Sequence, residues 1–345
     1  MRLSARLLLV CLPLFSLPGL AAPMADLYQV REPVASQQPE ERDAALGRAL
    51  DILIQRLTGK ADAPQSPALA QLRKEPQQVV SKYGYEGDAL LVEFDSTSTE
   101  RELRQAGFAL WGANRPAILA WWLNDATDGS SLVGDGQSSA QVLRQAAQYR
   151  GLPLRLPLAD LEEQLLATPE NLLAGEPDTL RSASERYAAD AQLAVLAREA
   201  DGQWQAEWRL WLGDEREQGK AQGADQAALA DALLLAVSQR LAPRFLVTPG
   251  AATSLTLEIQ GVDLKRYAEL QRLLEPFAAQ LSRVQGETLT FQVNASAEQL
   301  RAQLALAQLH EVTEPAPSAE SDAATAAGEP APRLLPRTDV LRFRW

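Results

Sequence analysis

The sequence predicts a mixed α+β and α/β protein of two to three small domains, with a mixed-sheet central domain built on a Trp-rich hairpin and a βαββ(α) module after it. Three observations predict this. Residues 191–212 hold two apolar-alternating runs around Asp201-Gly202, and the second run carries Trp204, Trp208 and Trp211. Helix-like and strand-like segments alternate from residue 116 to 245, the order expected when helices pack on a sheet. Thr248-Pro249-Gly250 and the Pro/Ala/Glu/Ser-rich stretch 314–332 interrupt the apolar periodicity. The expected division is a signal peptide at 1–22, an N-terminal α+β domain at 23–115, and the central α/β domain at 116–247. The C-terminal module follows at 251–312, then a linker at 313–336 and a closing strand at 337–345.

Residues 1–22 have a basic start at Arg2 and Arg6, an apolar run over 7–20 and a small-residue exit. That is the pattern of a secretory signal, cut near Ala21 or Ala22. Pro13, Pro18 and a run short of ~20 apolar residues argue against a membrane anchor. Cys11 lacks the small preceding residue of a lipidated cysteine, and it is the chain's single cysteine. The mature chain is therefore expected to have no disulfide and no thiol nucleophile. Loss of Arg2 and Arg6 takes the net charge from −12 to −14. Such a body repels phosphate backbones, so no nucleic acid is expected as a partner. No later segment has the length and apolarity to span a bilayer, and the expected location is the periplasm.

Residues 25–35 predict an opening strand. A helix follows over 39–57, with Glu40, Glu41 and Asp43 at its start, Leu46, Leu50, Leu53 and Leu57 along one stripe, and Gly59 beyond its end. A second helix is expected over 66–81, interrupted near Pro76, then one strand over 83–95. Thr97 or Thr99 is expected to cap a helix running to about Gly107. Arg115-Pro116 opens the run Ala-Ile-Leu-Ala-Trp-Trp-Leu, a strand buried on both faces with Trp121 and Trp122 pointing opposite ways. Residues 124–137 predict a loop. Its likeness to a calcium loop is faint, since Ala126 takes a ligand position and the final Glu is missing. A helix (138–149), a short strand (152–156) and two helices (158–166, 177–189) lead into the hairpin.

Asp201-Gly202 supplies the positive backbone angles of a type I′ turn. After it, Trp204, Ala206, Trp208, Leu210 and Leu212 share one face and are assigned to the core, while Trp211 falls on the polar face. Residues 215–222 predict a polar edge strand, and 225–241 an amphipathic helix ended by Pro243. Beyond the Thr-Pro-Gly link come a strand (254–260), a helix (263–277), a hairpin turning at Gln285-Gly286 and a helix (296–309). This is a ferredoxin-like order lacking its last strand. Leu341, Phe343 and Trp345 alternate with Arg342 and Arg344, a one-sided strand that either completes that sheet or adds to a partner.

The only histidine, His310, falls near a helix end, and no cysteine or second histidine accompanies it. Within one chain this excludes Cys–His dyads, Ser-His-Asp triads and histidine-based zinc sites. No phosphate loop or nucleophile elbow is present, so no cofactor and no metal is expected. Carboxylate chemistry remains open. Asp160, Glu162 and Glu163 are the best carboxylate cluster, and Asp160, Glu162 and Arg186 form the candidate polar cluster; helix capping by Asp160, or an ion pair to Arg155, is its plain role. Trp122, Trp211, Leu341, Phe343 and Trp345 are the candidate interaction residues.

Three pieces resemble one family: Arg115-Pro116 through Trp121-Trp122, Leu156-Pro157-Leu158-Ala159-Asp160-Leu161-Glu162, and Ala183-Ser184-Glu185-Arg186-Tyr187-Ala188-Ala189-Asp190. With Leu27-Tyr28-Gln29-Val30, they resemble an uncharacterised Gram-negative exported family, domain of unknown function 2066. The resemblance implies an envelope location and carries over no catalytic residue. The expected function is non-catalytic, through contacts with an envelope protein partner. The alternatives are a glycan or ligand module using exposed Trp111, Trp122 or Trp211, and a carboxylate-dependent hydrolase.

Overall fold

The structure, a computed structural model, describes residues 26–126, 129–246, 253–274, 277, 279–312 and 340–345. The expected signal peptide and the expected linker lie outside these residues. Among the described residues the protein is α+β, with three multi-stranded sheets and ten α-helices. None of these helices is long and apolar enough to cross a membrane.

The first sheet has the order β1-β3-β2 and is antiparallel throughout. After β1 (Gln29–Pro33), α1 (Pro39–Thr58) lays the expected leucine stripe on the sheet. Gly59 ends α1 at φ 63, and its Cα lies so near α8 (Gln226–Phe245) that an added Cβ would meet the Ala242 Cβ at 2.0 Å. The second expected helix is reduced to α2 (Ala70–Lys74), because Pro67 and Pro76 open 3₁₀ turns on either side of it. The strand expected over 83–95 is a hairpin, β2 (Val80–Glu86) and β3 (Ala89–Phe94), since Gly87 turns the chain at φ 62. Asp95, rather than a threonine, caps α3 (Ser96–Gln105), accepting from the Ser98 N–H at 2.8 Å.

The central sheet runs β5-β4-β7-β8-β9, with β6 also beside β4. β4 (Ile118–Ala126) and β5 (Gly129–Leu132) make a hairpin where the sequence suggested a loop; Asp128 of the faint calcium pattern lies outside the described residues. α4 (Ser139–Arg150), β6 (Leu154–Arg155), α5 (Leu161–Leu166), α6 (Pro169–Leu172) and α7 (Asp178–Ser184) follow. β7 (Ala191–Ala200) runs parallel to β4 and pairs antiparallel with β8 (Gln203–Leu212) over its whole length. Asp201 and Gly202 turn between them at φ 55 and 73, as a type I′ turn requires. β9 (Glu215–Gly223) is the polar edge, and its Gly219 lies under the Trp208 indole, where a Cβ would meet the ring at 2.5 Å.

Helices cover this sheet on both faces. α4 and α8 pack over Trp122, Leu193 and Trp208. On the other face, residues of α6 and α7 pack with Trp121, Leu196 and Trp211. The Trp121 Nε1–H donates to Ser184 Oγ at 3.1 Å, and the Trp211 Nε1–H to the Gly175 carbonyl at 3.3 Å.

The third sheet contains β10 (Thr253–Gln260), α9 (Leu264–Leu274), β11 (Gln280–Gln285), β12 (Thr288–Ala295) and α10 (Ala297–Leu306) in chain order. Gln308, at φ 59, ends the chain's helical course, so His310 lies in the two-residue strand β13 (His310–Glu311) rather than at a helix end. β14 (Val340–Arg344) enters between β10 and β13, giving the order β11-β12-β10-β14-β13.

Two buried arginines join the first sheet to the second. Arg56 of α1 donates to the carbonyls of Leu27 (3.0 Å), Gln29 (2.6 Å) and Tyr149 (2.8 Å). Arg115 donates to Gly112 (3.1 Å), Gly151 (2.9 Å), Arg56 (2.6 Å) and Trp111 (3.0 Å). Burial pushes the Arg115 guanidinium down to about 9 and that of Arg56 down to about 10, so both remain charged at neutral pH. Trp111 is stacked between Arg115 and α8, with the Arg115 guanidinium 4.1 Å from its ring centre and Phe245 5.7 Å away on a nearly parallel plane.

Candidate interaction site

The chemistry-bearing residues gather around α5. Asp160 starts that helix: its Oδ1 accepts from the Glu163 N–H at 3.0 Å, and Glu163 Oε2 accepts from the Asp160 N–H at 3.2 Å. This reciprocal pair is a capping box, and it satisfies two N–H groups of the first turn. Arg186, in the 3₁₀ turn after α7, pairs with Asp160 Oδ2 at 2.7 Å and also with Glu163. The Tyr187 hydroxyl donates to Glu163 and accepts from the Leu158 N–H at 2.8 Å.

Glu163 is fully buried, while Asp160 and Arg186 are open to solvent on one side. The Glu163 N–H, and after it Arg186, hold the Asp160 carboxyl below the usual carboxylate range. Burial, reinforced by the bond to Glu163, pushes the Tyr187 hydroxyl up. Every group faces another member of the cluster, so the arrangement brackets α5 to the turn at 185–187. It does not set two carboxylates across a cleft as glycoside hydrolysis requires.

The expected residues are redistributed. Asp160, Glu163 and Arg186 do meet, while Glu162 is exposed and outside the bracket. Arg155 does not pair with Asp160; it donates to the Ala188 carbonyl at 2.9 Å. Trp122 and Trp211 are 3% and 6% exposed, and Trp111 is fully buried. None of the three presents a ring face, because helices cover both sides of the central sheet. Leu341 and Phe343 are buried in the third core, and Trp345 is partly covered with Arg266 5.3 Å from its ring. Among the described residues no group of three or more His, Cys, Asp or Glu is placed to hold a metal ion.

Sequence reasoning missed the outer side of α5. Leu158, Leu161 and Leu165 are 66%, 73% and 70% exposed. Leu161 and Leu165 are one turn apart, so they share a face, and Glu163 with Ala167 turns the opposite side inward. An apolar residue every three or four positions looks the same in sequence whether its face meets a core or solvent. The discriminating signal is Asp160-x-x-Glu163, which fixes the helix start and therefore the inward face.

A second open region lies over β7, β8 and β9, a trough of about 390 Å³ lined by Leu196, Arg198, Gln205, Glu207, Lys220 and Gln222, among others. Its charges are paired across strands, Lys220 to Glu207 at 2.9 Å and Arg198 to Asp125 at 3.5 Å. That pairing suits a solvated sheet face.

Comparison with known proteins finds an uncharacterised region. Residues 21–112 match the family described as Domain of unknown function (DUF8605), about a quarter of the chain. This is not the family 2066 expected from the sequence. No curated protein matches the chain. The crystal structure of Thermus thermophilus Protein Y N-terminal domain aligns at 11% identity over 37% of this chain and 97% of that one. Its TM-score is 0.18, which carries no argument.

Proposed function

We propose that this is an exported, non-catalytic protein of the Gram-negative cell envelope, acting through protein contacts made by the leucine face of α5. The observation that carries the reading is the trio Leu158, Leu161 and Leu165, held outward by a capping box and the Arg186 bracket. Isolated exposed apolar residues are ordinary, and Leu264 of α9 is one. Leu161 and Leu165 on one short, fixed helix, with Leu158 just ahead of its cap, are the pattern of a contact surface. Export is supported by the leader pattern of residues 1–22, and the family match begins at residue 21, beside the expected cut. The resemblance to the exported family 2066 supports the same location.

The test is a photo-crosslinking residue at Leu161 in the full chain, expressed in its native envelope. The expected result is one discrete crosslinked species, abolished by L165E while the melting temperature stays within about 2 °C, as for an exposed site. Absence of any crosslink from a folded, exported protein would refute the reading. Retention in the cytoplasm would refute the location.

A further inference from the structure

β14 fills the edge beside β10 that the ferredoxin-like order leaves open, but it runs parallel to β10 and comes from far along the chain. β14 pairs in parallel with β10, from Thr256↔Val340 to Gln260↔Arg344. On its other side it pairs antiparallel with β13, which is two residues long and exposed. The Val312 N–H donates to the Arg342 carbonyl at 2.8 Å, so the two ends of the connection lie side by side. A two-residue turn joins such antiparallel ends. The chain instead places 27 residues, 313–339, between them. The seat itself is specific. Leu341 and Phe343 enter the core, Arg342 Nε donates to Glu258 Oε2 at 2.9 Å directly across the register, and the Arg266 guanidinium lies 5.3 Å from the Trp345 ring.

We propose that the edge of β10 is a strand-acceptor site, occupied in cis by residues 340–345 and able to take the same kind of strand from another protein. The occupant it fits is an extended segment entering parallel to β10, with large apolar side chains at alternate positions, an aromatic at the second, and a basic residue between them. Main-chain bonds to β10 supply affinity, the two apolar seats supply the phase, and Glu258 selects the basic residue. The long connection makes the cis strand a tethered competitor. Covalent attachment gives the cis strand an effective concentration that an incoming strand must exceed. This site is separate from α5, so either reading can fail without the other.

The experiment uses the full chain with a protease site placed within 313–336, cut after folding. The probe is a fluorescent peptide of residues 338–345, followed by anisotropy. The cut protein should exchange its own strand for the probe at micromolar concentration, and the uncut protein should need roughly a hundredfold more. E258R in the cut protein should weaken uptake at least about tenfold, and a probe carrying R342E should restore it, which places the probe in this register. Equal uptake by cut and uncut protein would overturn the proposal, as would failure of the cut strand to exchange. Unfolding of residues 253–312 when the strand leaves, read by circular dichroism, would also overturn it by making β14 an obligatory part of the sheet.

Discussion

Arg115→Lys is the sharpest test of how the first two sheets are joined. The substitution keeps the charge and removes the planar fork. Arg115 is 1% exposed and donates to four carbonyls, from Gly112, Gly151, Arg56 and Trp111. These lie on opposite sides of the guanidinium, and an ammonium at the end of a shorter, flexible stem reaches two at most. Each hydrogen bond from a charged donor is worth about 1.5–3 kcal/mol. Losing two while the charge stays buried costs about 3–6 kcal/mol, a large part of the whole stability of a domain. The stacking of the guanidinium on Trp111 is lost as well, which adds to the same sign. Thermal unfolding followed by tryptophan emission reports directly, since Trp111 lies between Arg115 and Phe245. The midpoint should fall by on the order of 10 °C. A midpoint within about 2 °C of wild type would refute the argument that fork geometry, rather than charge alone, holds this junction.

Three further predictions follow from single contacts. Trp208→Ala should cost ~3–5 kcal/mol in urea unfolding, because the buried ring fills the space between α8, β7 and Gly219; an unchanged midpoint would contradict the packing described for β8. Gly59→Val should cost about 2–4 kcal/mol, combining a left-handed backbone with a collision against Ala242, and proteolysis between the first two sheets should accelerate. Glu32→Gln concerns pH. Burial holds the Glu32 carboxyl above its ordinary value while Tyr149 donates to it at 2.7 Å. A group with a raised folded pKa contributes fully below its unfolded value, ~4.3, and loses that contribution as pH rises through the folded one. Wild type should therefore weaken relative to E32Q as pH rises through the raised folded value, and parallel stability curves would remove the role assigned to burial.

Much of the fold was legible because local chemistry and global packing agree at those positions. The Asp201-Gly202 turn dictates both the hairpin and its register, so every side chain of β8 falls on the expected face. The leucine stripe of α1 and the apolar run of β4 are equally explicit. What failed was exposure. Period two says that Trp208 and Trp211 face opposite ways, but not that the Gly175 segment closes over Trp211. The same limit hid the leucine face of α5, since only tertiary packing decides which side of an amphipathic helix meets solvent. Within the candidate cluster, Glu163 closes the capping box while Glu162 stays outside it, as the Asp-x-x-Glu spacing implies. β14 was readable as a strand, while its parallel seat beside β10 depends on contacts far apart in sequence.

The position of β14 also bears on how the third sheet assembles in time. β10 and β12 can pair as soon as both have been synthesised, whereas the neighbour on the other side of β10 is made about 80 residues after β10 ends. During synthesis the sheet therefore passes through a stage with Leu257 and Ile259 already placed and one ladder of β10 still open. Delivery of the chain N-terminus first leaves that edge unpaired until residues 340–344 arrive. Any prefix of the chain that stops before Val340 keeps it unpaired permanently. Chains that carry Val340–Arg344 and chains cut before it thus differ in a feature that strand-seeking chaperones and proteases can recognise.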